Sequence, residues 1–310
     1  MNGVMLIDKP EGMTSHDVVR KIRRVCRTRR VGHAGTLDPM ATGLLLVAVG
    51  EATRIVEYLM AGNKTYRATL HLGVETDTQD AEGQIVARQD VAPVDKAEVL
   101  RVMATFLGEQ QQIPPMYSAL KKNGIALHRL ARKGVEVERD PRTIFIERLA
   151  LLEMDWPRIT FEVDCSKGTY VRTLCHDMGL RLGTVAHMTE LRRIRSGSFS
   201  LDEANSLQEI EDRAVETIPE LLLPLAEGLR DYSSCQLQAE AVRKLRHGIP
   251  PRADEFSSAT VLQEGQVVVL KYRDCALAIG RYAPQRSREK RGDIELCKVF
   301  NPASPPGEQG

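Results

Sequence analysis

RRVGHAGTLDPMATGLLLVAVGEATR, residues 29–54, sets a Gly-rich loop directly before the apolar run Leu44–Val49. That run is short enough to be a buried strand. Gly32, Gly35 and Gly43 let the loop backbone approach a bulky ligand closely. Asp38 therefore falls in a loop between packed elements, where functional side chains are commonly held. An Asp followed by a Pro is by itself an ordinary turn pair, so its neighbours must decide its role. His33 and the upstream arginines place nitrogen donors and positive charge beside it, which suits contact with a polyanion.

Working outward, Gly3–Ile7 reads as a buried strand, and KPEGMTS turns the chain into a helix capped near Ser15. Val18, Val19, Ile22, Val25 and Cys26 recur at helical spacing, so one face packs inward. Arg20, Lys21, Arg23, Arg24, Arg27, Arg29 and Arg30 then point outward with no acid among them, and this helix is expected to face RNA. Smaller basic groups lie at Arg192, Arg193 and Arg195 and at Arg286, Arg288, Lys290 and Arg291.

Downstream, Tyr66, Ala68, Leu70 and Leu72 alternate as one face of a half-buried strand. Further strands are predicted at 143–153 and 158–165, and helices at 95–106, 125–133 and 170–182. Strands and helices mix without strict alternation, which predicts an α+β fold: a mixed, largely antiparallel sheet flanked by helices. The stretch LLLPLAEGLRDYSS marks a break. We place a large domain at 1–232 and a small β domain at 233–310.

The composition, 42% hydrophobic and 27% charged, is that of a globular protein and excludes a largely disordered chain. A net charge of +1 means that the basic clusters are balanced by acids elsewhere, such as Glu203–Glu220. The six cysteines show no CxxC pair and no His/Cys spacing suited to zinc, so no metal is expected. Asp8 and Lys9 fall where a signal peptide needs apolar residues, and no run is long enough to cross a bilayer. A cytoplasmic protein with free thiols and no membrane partner is expected.

The 29–54 stretch resembles the signature loop of the TruB family of pseudouridine synthases. The likeness continues through GVMLIDKPEGMTSHDVV, NKTYRATLHLGVETDTQDAEG, IPPMYSALKKNG, CSKGTYVRTLCHDMG and AHMTELRRIRSGSF, blocks that cover most of residues 3–199. It implies the pseudouridine synthase fold, isomerisation of uridine 55 in the T loop of tRNA, no cofactor, and a monomer that needs no protein partner. By the same resemblance Asp38 is the catalytic carboxylate, Arg172 pairs with it, and Tyr66 stacks on the target base. Tyr170 and Leu191 line the uridine pocket, and His33 and Lys64 meet the RNA. The KP pair Lys9–Pro10 buttresses the loop. GIPP, EGQVVVL and CALAIGRYA are similar to a PUA-like RNA-binding domain, which would hold the tRNA through Arg286–Arg291.

The chemistry agrees with these residue types. Making pseudouridine breaks the bond from N1 to C1′ and joins C1′ to C5, without net oxidation or hydrolysis. The reaction needs a carboxylate acting as nucleophile or base at the sugar, a group that orients it, and a pocket that excludes water from the detached uracil. A forked arginine orients a carboxylate better than a lysine does. Two other readings share the basic helix: a tRNA chaperone without obligatory catalysis, and a guide-dependent enzyme acting on ribosomal RNA with partner proteins.

Overall fold

The computed structural model describes residues 1–118, 120–122, 124–131, 133–257, 261–285 and 292–300. A ten-stranded sheet forms the body. Its path runs Asn205–Ser206, Gly3–Lys9, Thr42–Val49, Ala186–Ser196, Lys64–Leu72, Arg158–Cys165, Arg142–Asp155 and Gly108–Gln112. Val31–Ala34 adds to Thr42–Val49, and Phe199–Ser200 adds to Ala186–Ser196. Pairing is antiparallel except where Asn205–Ser206 joins Gly3–Lys9 and where Ala186–Ser196 joins Thr42–Val49. The mixed, largely antiparallel α+β sheet is thus the one the sequence implies.

Both faces of the sheet are covered where Thr42–Val49 runs, which explains its unbroken apolar sequence. Leu44, Leu46 and Ala48 enter one core, while Leu45, Val47 and Val49 enter another on the opposite face, as period-two alternation requires. Helix Ser15–Val25 packs Val18, Val19 and Ile22 into the second of these. Its cap differs from expectation by one residue. Thr14 is the N-cap: its hydroxyl accepts from Asp17 N at 3.1 Å, and Asp17 accepts from Thr14 N at 3.0 Å. Ser15 is buried and serves a different purpose, described below.

The third large core gathers Ala68, Leu70 and Leu72 with Ile159, Phe161 and Val163 beneath helices Lys96–Ala104 and Val171–Arg181. The helix expected at 125–133 is confined to Leu127–Ala131.

A separate four-stranded sheet, in the order Ser233–Gln236, Val267–Tyr272, Cys275–Tyr282 and Ile294–Val299, follows in the chain. It has its own core around helix Ala239–Arg246. It also lends Val269, Ala276 and Ile279, joined by Phe300 just after its last strand, to the core that holds Val4, Leu46 and Ala52. Arg54 Nη1 donates to Val299 O at 2.7 Å across that junction. Arg286, Arg288, Lys290 and Arg291 lie outside the described residues, as do the side chains of Lys121 and His128.

Candidate active site

The loop that carries Asp38 is fastened from three sides. Lys9, fully buried, donates from its ammonium to Pro39 O at 3.1 Å, Pro10 O at 2.9 Å and Met13 O at 2.6 Å. Burial pulls the pKa of Lys9 down to about 8, although the nearby Asp38 carboxylate opposes the fall. Ser15, at the start of its helix, accepts from Leu37 N at 2.8 Å and donates to Leu37 O at 3.1 Å. Arg193 donates through Nε to Leu44 O at 2.7 Å and through Nη2 to Gly35 O at 3.2 Å. Gly43 is forced by this closeness: its φ is +97°, and a Cβ there would sit 2.3 Å from Arg193 O.

Asp38 opens into a pocket of about 740 Å³, within the usual range for a small-ligand site. Tyr66, Tyr170, Leu191, Lys64, Asp80, Glu82 and Arg172 share its lining. The side chain of Asp38 is 34% exposed, enough to meet a ligand, while that of Arg172 is 7% exposed. Arg172 Nη2 stands 3.5 Å from Asp38 Oδ2, so the two residues expected to pair are adjacent.

The closer partner of Arg172 is Asp80, at 2.8 Å from Nη1, a residue the sequence reading did not single out. Asp80 is 2% exposed and accepts from Thr78 Oγ1 at 2.6 Å and from Glu82 N at 3.1 Å. Arg172 Nη2 also donates to Tyr117 O at 2.6 Å. The guanidinium is therefore a bridge, fixed on Asp80 and turned toward Asp38. TDTQDAEG reads as a turn, and only the fold brings Asp80 to Arg172; the resemblance in that block was the one available signal.

Three carboxylates, Asp38, Asp80 and Glu82, share the pocket lining with the Arg172 guanidinium. Burial raises the pKa of Asp38 above the ordinary carboxylate range; Arg172 opposes the rise, and the like charge of Asp80 adds to it. Glu82 is also raised, by burial and then by Asp80 and Asp38. Burial raises the phenol of Tyr66, against the pull of Arg193. An arrangement of this kind keeps one carboxylate oxygen aimed into a partly desolvated space, which is what attack or proton removal at a sugar carbon requires.

The other expected residues divide. Tyr170 precedes helix Val171–Arg181, fixed by Gln112, which accepts from Tyr170 N at 2.8 Å and donates to Tyr170 O at 3.0 Å. Leu191, on the strand beside Tyr66, supplies an apolar wall. Lys64 lines the pocket, yet its ammonium donates to Met60 O at 2.6 Å and to Gly62 O. Its charge is thereby committed to the backbone, and burial lowers its pKa to about 8. His33 lies on Val31–Ala34, outside the pocket lining. Burial, then Arg193 and His16, lower its pKa, which favours the neutral ring. Arg193, one of the small basic group Arg192, Arg193 and Arg195, is buried, at 1% exposure. Among the described residues, no three His, Cys, Asp or Glu side chains are placed to hold a metal.

The basic helix is also partitioned. Arg20 pairs with Asp17, Lys21 with Glu211 at 2.7 Å and Arg30 with Glu51 at 2.8 Å. Arg23 donates to Val31 O at 3.1 Å. Arg24, Arg27 and Arg29 are exposed and have no carboxylate partner among the described residues.

Two family models match consecutive stretches of the chain. The TruB family pseudouridylate synthase N-terminal domain matches residues 23–171, and the tRNA pseudouridylate synthase B C-terminal domain matches residues 172–230. The chain is 55% identical to tRNA pseudouridine synthase B of Syntrophotalea carbinolica, over 97% of this chain and 98% of that protein. It is 43% identical to tRNA pseudouridine synthase B of Geobacter sulfurreducens, over 97% of this chain and all of that protein. Among solved structures it is similar to a chain of a Cbf5-Nop10-Gar1 complex, with 30% identity, a TM-score of 0.77, and coverage of 97% of this chain and 85% of that one. Matched in sequence along nearly its whole length and in fold, the chain belongs to the TruB family of pseudouridine synthases.

Proposed function

We propose that the protein converts uridine 55 in the T loop of tRNA to pseudouridine, with Asp38 as the carboxylate acting at the ribose of an everted nucleoside. The observation that carries this is the geometry around Asp38: an oxygen open to the pocket, an Arg172 guanidinium 3.5 Å away, and Tyr66, Tyr170 and Leu191 around the same space. The N1 to C1′ bond breaks, C1′ joins C5, and the proton leaving C5 is balanced by the one gained at N1. Tyr66 offers a flat platform for the displaced base, as enzymes that act on extruded bases commonly do. His33 and Lys64 stand at the edge of the RNA path, His33 as a neutral stacking ring and Lys64 as a brace.

The tRNA substrate is supported by the names of the relatives and by the surface of helix Ser15–Val25 and the turn after it. Arg24, Arg27 and Arg29 there are free to neutralise phosphates of the T arm. Residues 1–232 act as the catalytic domain. Residues 233–310 act as a PUA-like domain, adding affinity through backbone contacts. The enzyme works in the cytoplasm as a monomer, without cofactor or obligatory protein partner. The stand-alone reading is favoured by near-complete coverage of the two bacterial relatives.

The test is to incubate tRNA lacking modifications with the pure protein and map pseudouridine. Wild-type protein should modify one T-loop uridine unaided, while Asp38→Asn and Asp38→Ala bind the RNA and leave it unmodified. Turnover by either variant would refute the role of Asp38. No product from wild-type protein alone would favour the chaperone, and product only with a guide RNA and partners would favour the guide-dependent branch.

A further inference from the structure

Arg193 is among the largest fully buried side chains of the protein, and no carboxylate lies within ion-pair distance of it among the described residues. Burying a guanidinium against neutral groups alone is costly unless its donors are well used. Its donors are used on one structure: the loop that carries Asp38. Gly35 O lies three residues before Asp38 and Leu44 O six residues after it, so a single planar fork closes the loop at both ends.

Its third side faces substrate-contacting chemistry. Strand Ala186–Ser196 runs between Thr42–Val49 and Lys64–Leu72. In that register Arg193 stands beside Gly43 on one side and directly opposite Tyr66 on the other. Arg193, Tyr66 and Asp38 all line the same pocket. Directly opposite residues on antiparallel strands project on the same face, which sets the Arg193 side chain beside that of Tyr66.

We propose that Arg193 is a positioning residue for the isomerisation: one guanidinium that locks the Asp38 loop and the Tyr66 phenol into a single frame, so that the carboxylate and the base platform keep a fixed separation. This rests on the roles given above to Asp38 and Tyr66. A lysine cannot reproduce it, because a single ammonium cannot meet Gly35 O and Leu44 O with the fixed angles of a fork while lying flat beside Tyr66.

The experiment uses the full chain, unmodified tRNA and single-turnover formation of pseudouridine. Arg193→Lys and Arg193→Met should each lower the single-turnover rate by about 100-fold while RNA affinity stays within about threefold, the pattern of a misplaced reacting pair. A double-mutant cycle supplies the reading that a merely structural arginine would not give. In a Tyr66→Phe background, Arg193→Lys should cost less than it does in the wild-type background, because the part of its effect that passes through the phenol is already gone and only the loop contacts remain to be lost. Tyr66→Phe alone leaves the two loop hydrogen bonds in place. It keeps the test open where Arg193 variants fail to fold, and should itself slow turnover without weakening RNA binding.

The proposal is overturned by Arg193→Lys turning over within about threefold of wild type, by losses that add fully in the cycle, or by a loss confined to RNA affinity. Tyr66→Phe turning over like wild type would overturn it as well. These outcomes are separate from failure of the proposed function, in which wild-type protein makes no pseudouridine or Asp38→Asn remains active.

Discussion

Asp80→Asn probes the bridge on which the site is built. In the wild-type protein Arg172 Nη1 meets Asp80 Oδ2 at 2.8 Å, with side-chain exposures of 7% and 2%. The opposite oxygen of Asp80 accepts from Thr78 Oγ1 and Glu82 N. An asparagine amide must therefore aim a donor either at the guanidinium or at those two donors. Removing one partner of a buried pair costs on the order of 3–5 kcal/mol. Asp38, 3.5 Å from Nη2, still offers the guanidinium an anion, so the low end applies, about 3 kcal/mol. For a chain of 310 residues that lowers the melting temperature by about 5 °C. Turnover falls further than stability alone implies, by about 100-fold, because Arg172 is released to collapse onto Asp38. The acid limb of the pH–rate profile moves to lower pH, since the like charge that helps hold the Asp38 pKa up is gone. Thermal melts, single-turnover rates and the pH profile read these effects separately. A variant that melts with wild-type protein and turns over at its rate would refute the bridge.

Asp38→Asn is expected to stabilise the protein at neutral pH. The folded pKa of Asp38 is raised, so its favourable contribution is present below the ordinary carboxylate range and lost as pH rises through the folded value. The variant should gain in melting temperature at pH 7 and lose that advantage on acidification; equal melts at pH 7 would contradict the desolvation. Ser15→Ala strips the N–H and C=O of Leu37 of their partner, costing about 1–3 kcal/mol, and should reduce turnover more than RNA binding. Equal effects on both, measured by kinetics and filter binding, would show that Ser15 does not govern the Asp38 loop. Replacing Arg24, Arg27 and Arg29 singly by Gln should each flatten the slope of log affinity against log salt by about 0.7–0.9 with little change in the rate at saturating RNA. An unchanged slope would remove these arginines from the RNA path.

The fold was largely legible because its strongest signals are local. The apolar run Leu44–Val49 and the alternation from Tyr66 to Leu72 each state their own burial, and the strands appear where those periods place them. Asp38 and Arg172 were reachable through the resemblance of their motifs. Asp80 was not, because its importance arises from a contact across 92 residues of chain, and a buried acid among turn formers looks like a turn acid. Arg192 and Arg193 are adjacent and chemically identical, and strand alternation sends them opposite ways. The first meets Asp8 at 2.7 Å at a half-exposed edge, and the second is buried. Which arginine goes inward depends on register, and a charged pair carries no period from which to read it.

The three residues that the small sheet contributes to the core of the large one, with Phe300 just beyond its last strand, have a mechanical meaning. Val269, Ala276, Ile279 and Phe300 do not merely touch a neighbour: they fill its interior, so the two sheets cannot swing apart without opening a void. Any ligand long enough to touch both the pocket and the small sheet therefore meets them at a fixed separation.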